Sequence, residues 1–385
     1  MKLLVLNEAR HAIDDSFVEQ RCAVTPATVM RFTRMGFTVM LEQDAGALSG
    51  YPDAAYTEQG ATIVEANADV LGDADIVLYV NRPLSSQLAQ LKANALVIGH
   101  IDPFFQQELV ENMAGKGLST LSVEMIPRSS RAQKMDALSS QASLAGYVMM
   151  MQAANVLPSI LPMMMTPSGT IKPAKVFIIG AGVAGLQAIA TAKRLGANVL
   201  AYDTRPVVAE QVESLGGKFL KIDIGETGQT KDGYAKELTD EQKAKQQEAQ
   251  RDAIADADIV ITTAQLFGRK PPVLISKQTL ALMKPGSVVV DMAALSGGNV
   301  EGSVPGETAV VEGVTVIGDG HWSQRVARDA TDMYANNLIN LIDEFFDKES
   351  KQFTLDLEDE ILASSVITHA GEITNDMLKN AYKGG

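Results

Sequence analysis

Cysteine is nearly absent. Cys22 stands alone in 385 residues, so neither a disulfide framework nor a cysteine-built structural metal site can form within one chain, and a reducing compartment is expected. Basic residues are in deficit, 33 Lys and Arg against 47 Asp and Glu, and the formal charge of −14 is opposite to that of a phosphate-backbone binder. No nucleic acid partner is expected. Histidine is sparse too: only His11, His100, His321 and His369 occur, with no metal-ligand spacing and no nucleophile elbow. The N-terminal MKLLVLNEARHAIDD turns charged early and lacks the apolar run and small-residue cleavage site of an export signal. One stretch, Ala137 to Ile171, carries no charge over 35 positions, long enough for a membrane helix. Yet Ser139, Ser140, Gln141, Ser143, Gln152, Asn155, Ser159, Pro158, Pro162 and Pro167 make it too polar and too broken to face lipid. No direct membrane span is expected. The stretch reads instead as helices buried between domains, or as a methionine-rich subunit contact through Met149 to Met151 and Met163 to Met165.

What remains is globular material, 46% apolar and 21% charged, enough for a large core, in a chain long enough for two domains. From Lys2 to about Val123 the runs LLVLN, TVMLE, DIVLYV, ALVIGH and STLSV alternate with polar helix-like stretches, the pattern of an α/β domain with a parallel sheet. A second series begins at Lys175 with KVFIIG, NVLAYD, KFLKI, DIVITT, SVVVDM and TVIGD. The helix-like RVARDATDMYANNLINLIDEFF then leads the chain back. The expected organisation is residues 1–127 completed by 328–385 as one domain, and 128–327 as the interdomain helices and a second. The charge-rich segment Asp223 to Ala253 reads as a mobile loop entering an exposed helix, or as a solvated insertion without a role.

Gly180-Ala181-Gly182-Val183-Ala184-Gly185 follows the strand KVFII and opens the helix LQAIATAKRLG. In that context the spacing has a physical reason: Gly180 for a tight turn, Gly182 for backbone approach to a pyrophosphate, Gly185 for close helix packing. The helix start adds free N–H groups and partial positive charge. Asp203 ends the next strand, 23 residues after Gly180, near the position of the acid that takes the adenosine ribose hydroxyls. An anion there favours NAD over NADP; Arg205 beside it works the other way, because arginine can accommodate a 2′-phosphate.

A hydroxyl-oxidising dehydrogenase needs an acid or base beside the nicotinamide, and candidates are few. His100 ends the strand ALVIGH, either facing a cleft or as a satisfied strand-end residue; His321, beside Trp322 after the last strand, lies where ligand loops of such sheets occur. A denser polar group, Arg128, Arg131, Gln133, Asp136 and Ser139, stands in MIPRSSRAQKMDALSSQ. It reads either as an N-capped helix with an exposed first turn, or as a loop in which Arg and Gln bind carboxamide and phosphates while Asp136 holds Arg128.

PRSSRAQKMDALSSQASLAGY, PAKVFIIGAGVAGLQAIATAKRLGA, AYDTRP, EQVESLGGKF, DGYAKEL, DIVITTA, MKPGSVVVDMA, SGGN and VPGE, in that order, are similar to the NAD(H)-binding alpha components of the proton-translocating, Re/Si-specific NAD(P) transhydrogenases, within a wider family that includes alanine dehydrogenase. The resemblance spans nearly the whole chain and is strongest from Glu124 to Asn299. It implies two Rossmann-like domains with parallel sheets around a central cleft, and direct hydride transfer between NADH here and NADP⁺ on a partner component. Both reactants are nicotinamides, so no acid or base is required. By matching positions, Arg128, Gln133, Asp136 and Ser139 resemble the loop holding the nicotinamide end. Gly180, Gly182, Val183, Ala184 and Gly185 resemble the pyrophosphate turn, Asp203, Thr204 and Arg205 the adenosine-ribose end, Ala264 of DIVITTA a further nucleotide contact, and Tyr234 the tyrosine of a loop that closes over nucleotide. Membrane-spanning and NADP(H)-binding partner components are implied. The expected cofactor is NAD and the expected state a homodimer. As no membrane helices follow Gly385, a separate cytoplasmic chain is expected, peripheral to the bacterial inner membrane.

The chain also departs from its relatives. Where alanine dehydrogenases carry a substrate-binding lysine it has Asn81, although their catalytic histidine matches His100. Asn7, Tyr79 and GDGHWSQR depart from the transhydrogenase pattern as well. An alanine-dehydrogenase-like amino- or imino-acid oxidoreductase and an NAD(H)-sensing module are the alternatives.

Overall fold

The computed structural model describes residues 1–11, 17–222 and 239–383. Its contacts divide the chain into two compact α/β units, Met1–Gln141 with Val326–Gly385, and Ala142–Arg325.

The first unit is built on an eight-stranded sheet in the order Glu372–Ile373, Val366–His369, Ser119–Ser122, Leu96–Gly99, Ile76–Leu78, Lys2–Val5, Thr38–Glu42, Thr62–Val64. The last six pair in parallel; the two C-terminal strands join antiparallel. Ile76–Leu78, Leu96–Gly99 and Ser119–Ser122 are buried along their whole length, as strands covered on both faces must be. The helix Pro26–Met35 starts at a Thr25 capping box with Pro26 in its first turn, and stops at Gly36 with φ of 98°. The long helix Ala327–Phe345 buries Ala327, Ala330, Thr331, Tyr334, Leu338, Leu341 and Ile342, a stripe at helical spacing. Residues 128–141, expected from sequence in the second domain, are part of this unit. Arg131 pairs with Asp359 and Glu344, Lys134 pairs with Glu344, and the Lys134 carbonyl accepts from the amides of Asn337 at 3.1 Å and Asn340 at 3.2 Å.

The second unit carries a seven-stranded sheet ordered Lys218–Phe219, Asn198–Tyr202, Lys175–Ile179, Ile259–Thr262, Val288–Asp291, Val314–Ile317, Thr308–Val311. All pairs are parallel except the last. The uncharged stretch is helical only as far as Val156. Beyond Pro158 and Pro162, which cannot continue a helix, it forms an antiparallel hairpin, Met164–Thr166 with Gly169–Ile171, turning at Gly169 with φ of 136°. That corrects the expectation of helices throughout. The two methionine triplets part company: Met149 and Met150 are fully buried, whereas Met163, Met164 and Met165 are 59%, 44% and 72% exposed. Asp240–Asp256 is a helix capped by Thr239; residues 223–238, Tyr234 among them, lie outside the described residues. Among the described residues no helix is long and apolar enough to cross a membrane.

Candidate functional site

Parallel strands end at one edge of a sheet, and in the second unit Gly180, Asp203, Thr263, Met292 and Gly318 all follow strand ends there. Ligands of open α/β sheets bind at this edge. Gly180 turns the chain with φ of 100°, and a Cβ on it would meet Thr263 Oγ1 at 2.3 Å, so glycine is required twice over. Gly185, one turn into the helix Val183–Arg194, packs so close that a Cβ would fall 1.9 Å from the Gly180 carbonyl oxygen. Gly182 is different. It caps the helix at φ −80°, ψ −166°, and a Cβ there would meet nothing within 4 Å. Neither backbone nor packing explains that glycine; open space for an approaching phosphate group does. Behind the turn, Gly146 of the uncharged helix would strike the Ala184 carbonyl if it bore a Cβ, at 2.1 Å. Ala184 is buried and Val183 is 41% exposed.

Asp203 is 9% exposed and braces the same turn. Its Oδ2 accepts the Ala181 N–H at 2.8 Å and Arg205 Nη2 at 2.9 Å; its Oδ1 accepts the Arg205 N–H at 2.8 Å and Nε at 2.9 Å. These bonds to Asp203 push the guanidinium pKa of Arg205 further up. Arg205 therefore balances the Asp203 charge, a pairing that spacing alone could not give. Thr204 between them is half-buried. Ala264 is half-buried next to Thr263, whose hydroxyl donates to the Gly180 carbonyl at 3.0 Å. Trp322 is buried at the same edge and donates Nε1–H to the Met292 carbonyl at 3.3 Å, with His321 half-buried beside it.

The other group sits in the first unit. Asp136 accepts from Ser139 twice, backbone N–H at 2.8 Å on Oδ1 and hydroxyl at 2.6 Å on Oδ2, and so caps the helix Ala137–Val156. Ser139 is half-buried; Arg128 and Gln133 are exposed.

A polar cluster that sequence reasoning missed also lies in the first unit. Glu19 binds Arg21 through Nε and Nη2, both at 2.8 Å, and accepts the Asn81 side-chain amide at 2.9 Å. Glu8 accepts backbone N–H groups from Val80 at 2.5 Å and Asn81 at 3.2 Å. The Val80 carbonyl accepts from His100 Nδ1 at 2.7 Å, which fixes that proton, since a carbonyl can only accept. His100 stacks on Tyr334, centroids 5.3 Å apart. Burial, with Glu19 nearby, pushes the Glu8 carboxyl up to about 8. Burial opposes ionisation of Glu19 as well, but the Arg21 guanidinium outweighs it and holds that carboxyl below its ordinary value. Burial also lowers the His100 imidazole, leaving it neutral at pH 7. Only Asn81 and His100 gave any sign in the sequence.

Two family models cover the chain: "Alanine dehydrogenase/PNT, N-terminal domain" over residues 13–145 and "Alanine dehydrogenase/PNT, C-terminal domain" over 149–376. The first of the polypeptides that make up NAD(P) transhydrogenase subunit alpha in Rhodospirillum rubrum is 41% identical over 98% of this chain and 99% of its own length. The crystal structure of transhydrogenase from Sinorhizobium meliloti superposes with a TM-score of 0.84 at 37% identity, covering 98% of this chain and 100% of that one. An L-alanine dehydrogenase structure gives 0.81 at 24% identity, covering 100% and 99%, a likeness of fold.

Proposed function

Because this chain belongs to the alanine dehydrogenase/PNT family, we propose that it is the NAD(H)-binding component of a proton-translocating NAD(P) transhydrogenase, passing hydride between NADH and NADP⁺ held on a partner component. The observation that carries this reading is Gly182, a glycine that neither backbone angle nor packing demands, at the start of a helix beside an acid-braced turn. When bound, NADH supplies the hydride. The chain's own work is binding and orientation: Gly180, Gly182, Val183, Ala184 and Gly185 would hold the pyrophosphate, Asp203, Thr204, Arg205 and Ala264 the adenosine side, and Arg128, Gln133, Asp136 and Ser139 the nicotinamide end. Tyr234 is assigned to covering the nucleotide. The partners would be a membrane-spanning and an NADP(H)-binding component, with this chain peripheral to the inner face of the bacterial membrane and acting as a homodimer.

Calorimetry on the isolated chain is expected to give tighter binding of NADH than of NADPH. Asp203→Ala should narrow the difference by about tenfold, because it removes an anion and releases Arg205 toward a 2′-phosphate. Equal affinities in the unaltered chain would remove Asp203 as the discriminating residue. Mixed with partner components, the chain should support NADP⁺ reduction by NADH. One observation favours a second reading, an amino- or imino-acid oxidoreductase: neutral His100, with Nδ1 committed to Val80, keeps Nε2 free of a proton. Against it, Asn81 offers an amide, already bonded to Glu19, where that chemistry would use a cation. Turnover of alanine or pyruvate by the chain alone would establish this second reading. Tight NADH binding with no transfer in any pairing would instead identify an NAD(H)-sensing module.

A further inference from the structure

We infer that Asn299 is a positioning residue for the dinucleotide turn, acting on it through the loop that follows the strand Ile259–Thr262; the inference rests on the NAD(H)-binding reading above. Asp291, fully buried at the end of its strand, accepts backbone N–H groups from Ala293 at 3.0 Å, Asn299 at 3.0 Å and Val300 at 3.2 Å. The chain reaches that carboxylate through Gly297 and Gly298, at φ of 115° and 78°, and a Cβ on Gly298 would come within 2.8 Å of Asp291 Oδ2. Asn299 is thereby held in place by its main chain, and its side chain does something else.

Both hydrogens of the Asn299 amide go to carbonyls across the loop, Ala264 at 3.0 Å and Pro272 at 2.8 Å. The Asn299 carbonyl in turn accepts from Leu274 at 2.7 Å and Ile275 at 3.1 Å. One fully buried residue thus ties down both ends of the segment from Ala264 to Leu274. Two carbonyl acceptors set the amide's orientation, because the flipped form would put oxygen against oxygen. That orientation leaves Asn299 Oδ1 buried with no hydrogen-bond partner. An unpaired buried oxygen is unfavourable and needs a reason. An apolar side chain of similar size would avoid it; what asparagine alone adds is the pair of donors that hold Ala264 and Pro272.

Ala264 connects directly to the turn. Its neighbour Thr263 donates its N–H to the Ile179 carbonyl at 2.9 Å and its hydroxyl to the Gly180 carbonyl at 3.0 Å. Gly180 leaves room for that hydroxyl only because it lacks a Cβ. The route from Asn299 to Ala264, Thr263 and Gly180 is a continuous set of hydrogen bonds and peptide bonds, and it ends at the residue whose left-handed φ shapes the pyrophosphate site.

The test uses the full chain with three ligands. Asn299→Leu removes both donors, and Thr263→Val removes only the hydroxyl on Gly180. Both variants are expected to weaken NADH and ADP, which carry the pyrophosphate, by roughly tenfold in calorimetry, while adenosine, followed by NMR shifts, binds as in the parent. General damage to the unit would weaken all three ligands, and that result overturns the inference. So does binding of NADH and ADP by Asn299→Leu within about twofold of the parent. Should Asn299→Leu fail to fold, Thr263→Val decides alone by the same pattern. A parent chain that binds neither NADH nor ADP overturns the NAD(H)-binding reading itself, and this inference with it.

Discussion

Glu8 and Glu19 show how one peptide unit can separate the fates of two neighbouring acids. Asn81 donates its backbone N–H to Glu8 and its side-chain amide to Glu19, but only Glu19 is clasped by Arg21. The acid without the guanidinium holds its proton to about 8 instead of the ordinary 4.5, chiefly because it is buried. Raising a folded-state pKa stabilises the protein fully below the unfolded value, and the contribution is lost as pH rises from 4.5 through about 8. Stability should therefore fall across that window by up to about 1.4 kcal/mol per pH unit from this one proton. Glu19, shifted downward, acts in the opposite sense and only at lower pH. His100, also shifted downward, makes the fold more stable as pH rises through its unfolded range. Glu8→Gln, which keeps the shape of the protonated acid, isolates the Glu8 part: urea unfolding at pH 5, 6.5 and 8 should show the variant gaining on the parent at each step. A gap that stays constant with pH would mean that Glu8 is ionised in the fold. None of this was legible beforehand, because Glu8 meets Val80 across 72 positions and Glu19 meets Asn81 across 62. Only proximity in the folded chain gives those acids their partners.

The helix Val183–Arg194 carries two glycines in and just before its first turn with contrasting duties. Gly185→Ala would press a methyl group into the Gly180 carbonyl, and overpacking of that kind costs roughly 1–3 kcal/mol, so the variant should melt early whether or not nucleotide is present. Gly182→Ala meets open space and a φ that any residue adopts, so its melting temperature without nucleotide should match the parent, while NADH binding weakens by about tenfold. Thermal melts with and without NADH separate the two outcomes; equal NADH stabilisation of the parent and Gly182→Ala would leave that glycine without a role. Elements of this kind are readable in sequence, since strand, glycine spacing and helix follow one another within a short segment. The buried aliphatic runs announced most strands for the same reason. Strands that escaped notice are short or partly exposed: Thr62–Val64 is only half-buried beyond its first residue, and Thr308–Val311 is an antiparallel edge strand with Val310 74% exposed. The Arg205 clasp on Asp203 was unreadable for another reason, because adjacency in sequence does not say which way an arginine folds.

A chain with a formal charge of −14 repels its own copies wherever charged faces meet. The stretch from Ala137 to Ile171 escapes that repulsion, having no charged residue, and its outer part does not pack into the core of its own unit: Met163, Met164, Met165 and Ile171 on the hairpin and Val156 at the helix end are each more than 40% exposed. Contiguous apolar surface of this kind is unusual on a monomer, and flexible methionines adapt readily to a facing surface. A second copy presents the same uncharged hairpin, and a two-fold contact lets each copy cover the other without burying an ion. Burying these side chains relieves each of roughly 1 to 3 kcal/mol of exposure to water, whereas any contact across the acidic faces would need charges to be desolvated. Light scattering at micromolar concentration should therefore find twice the monomer mass. Met163→Lys with Met165→Lys, placed at positions 59% and 72% exposed in the single chain, should leave the fold intact, bring like charges together at the contact and return the protein to monomer mass. A parent that already scatters as a monomer would reject the dimer, and a double variant that stays dimeric would move the contact away from the hairpin.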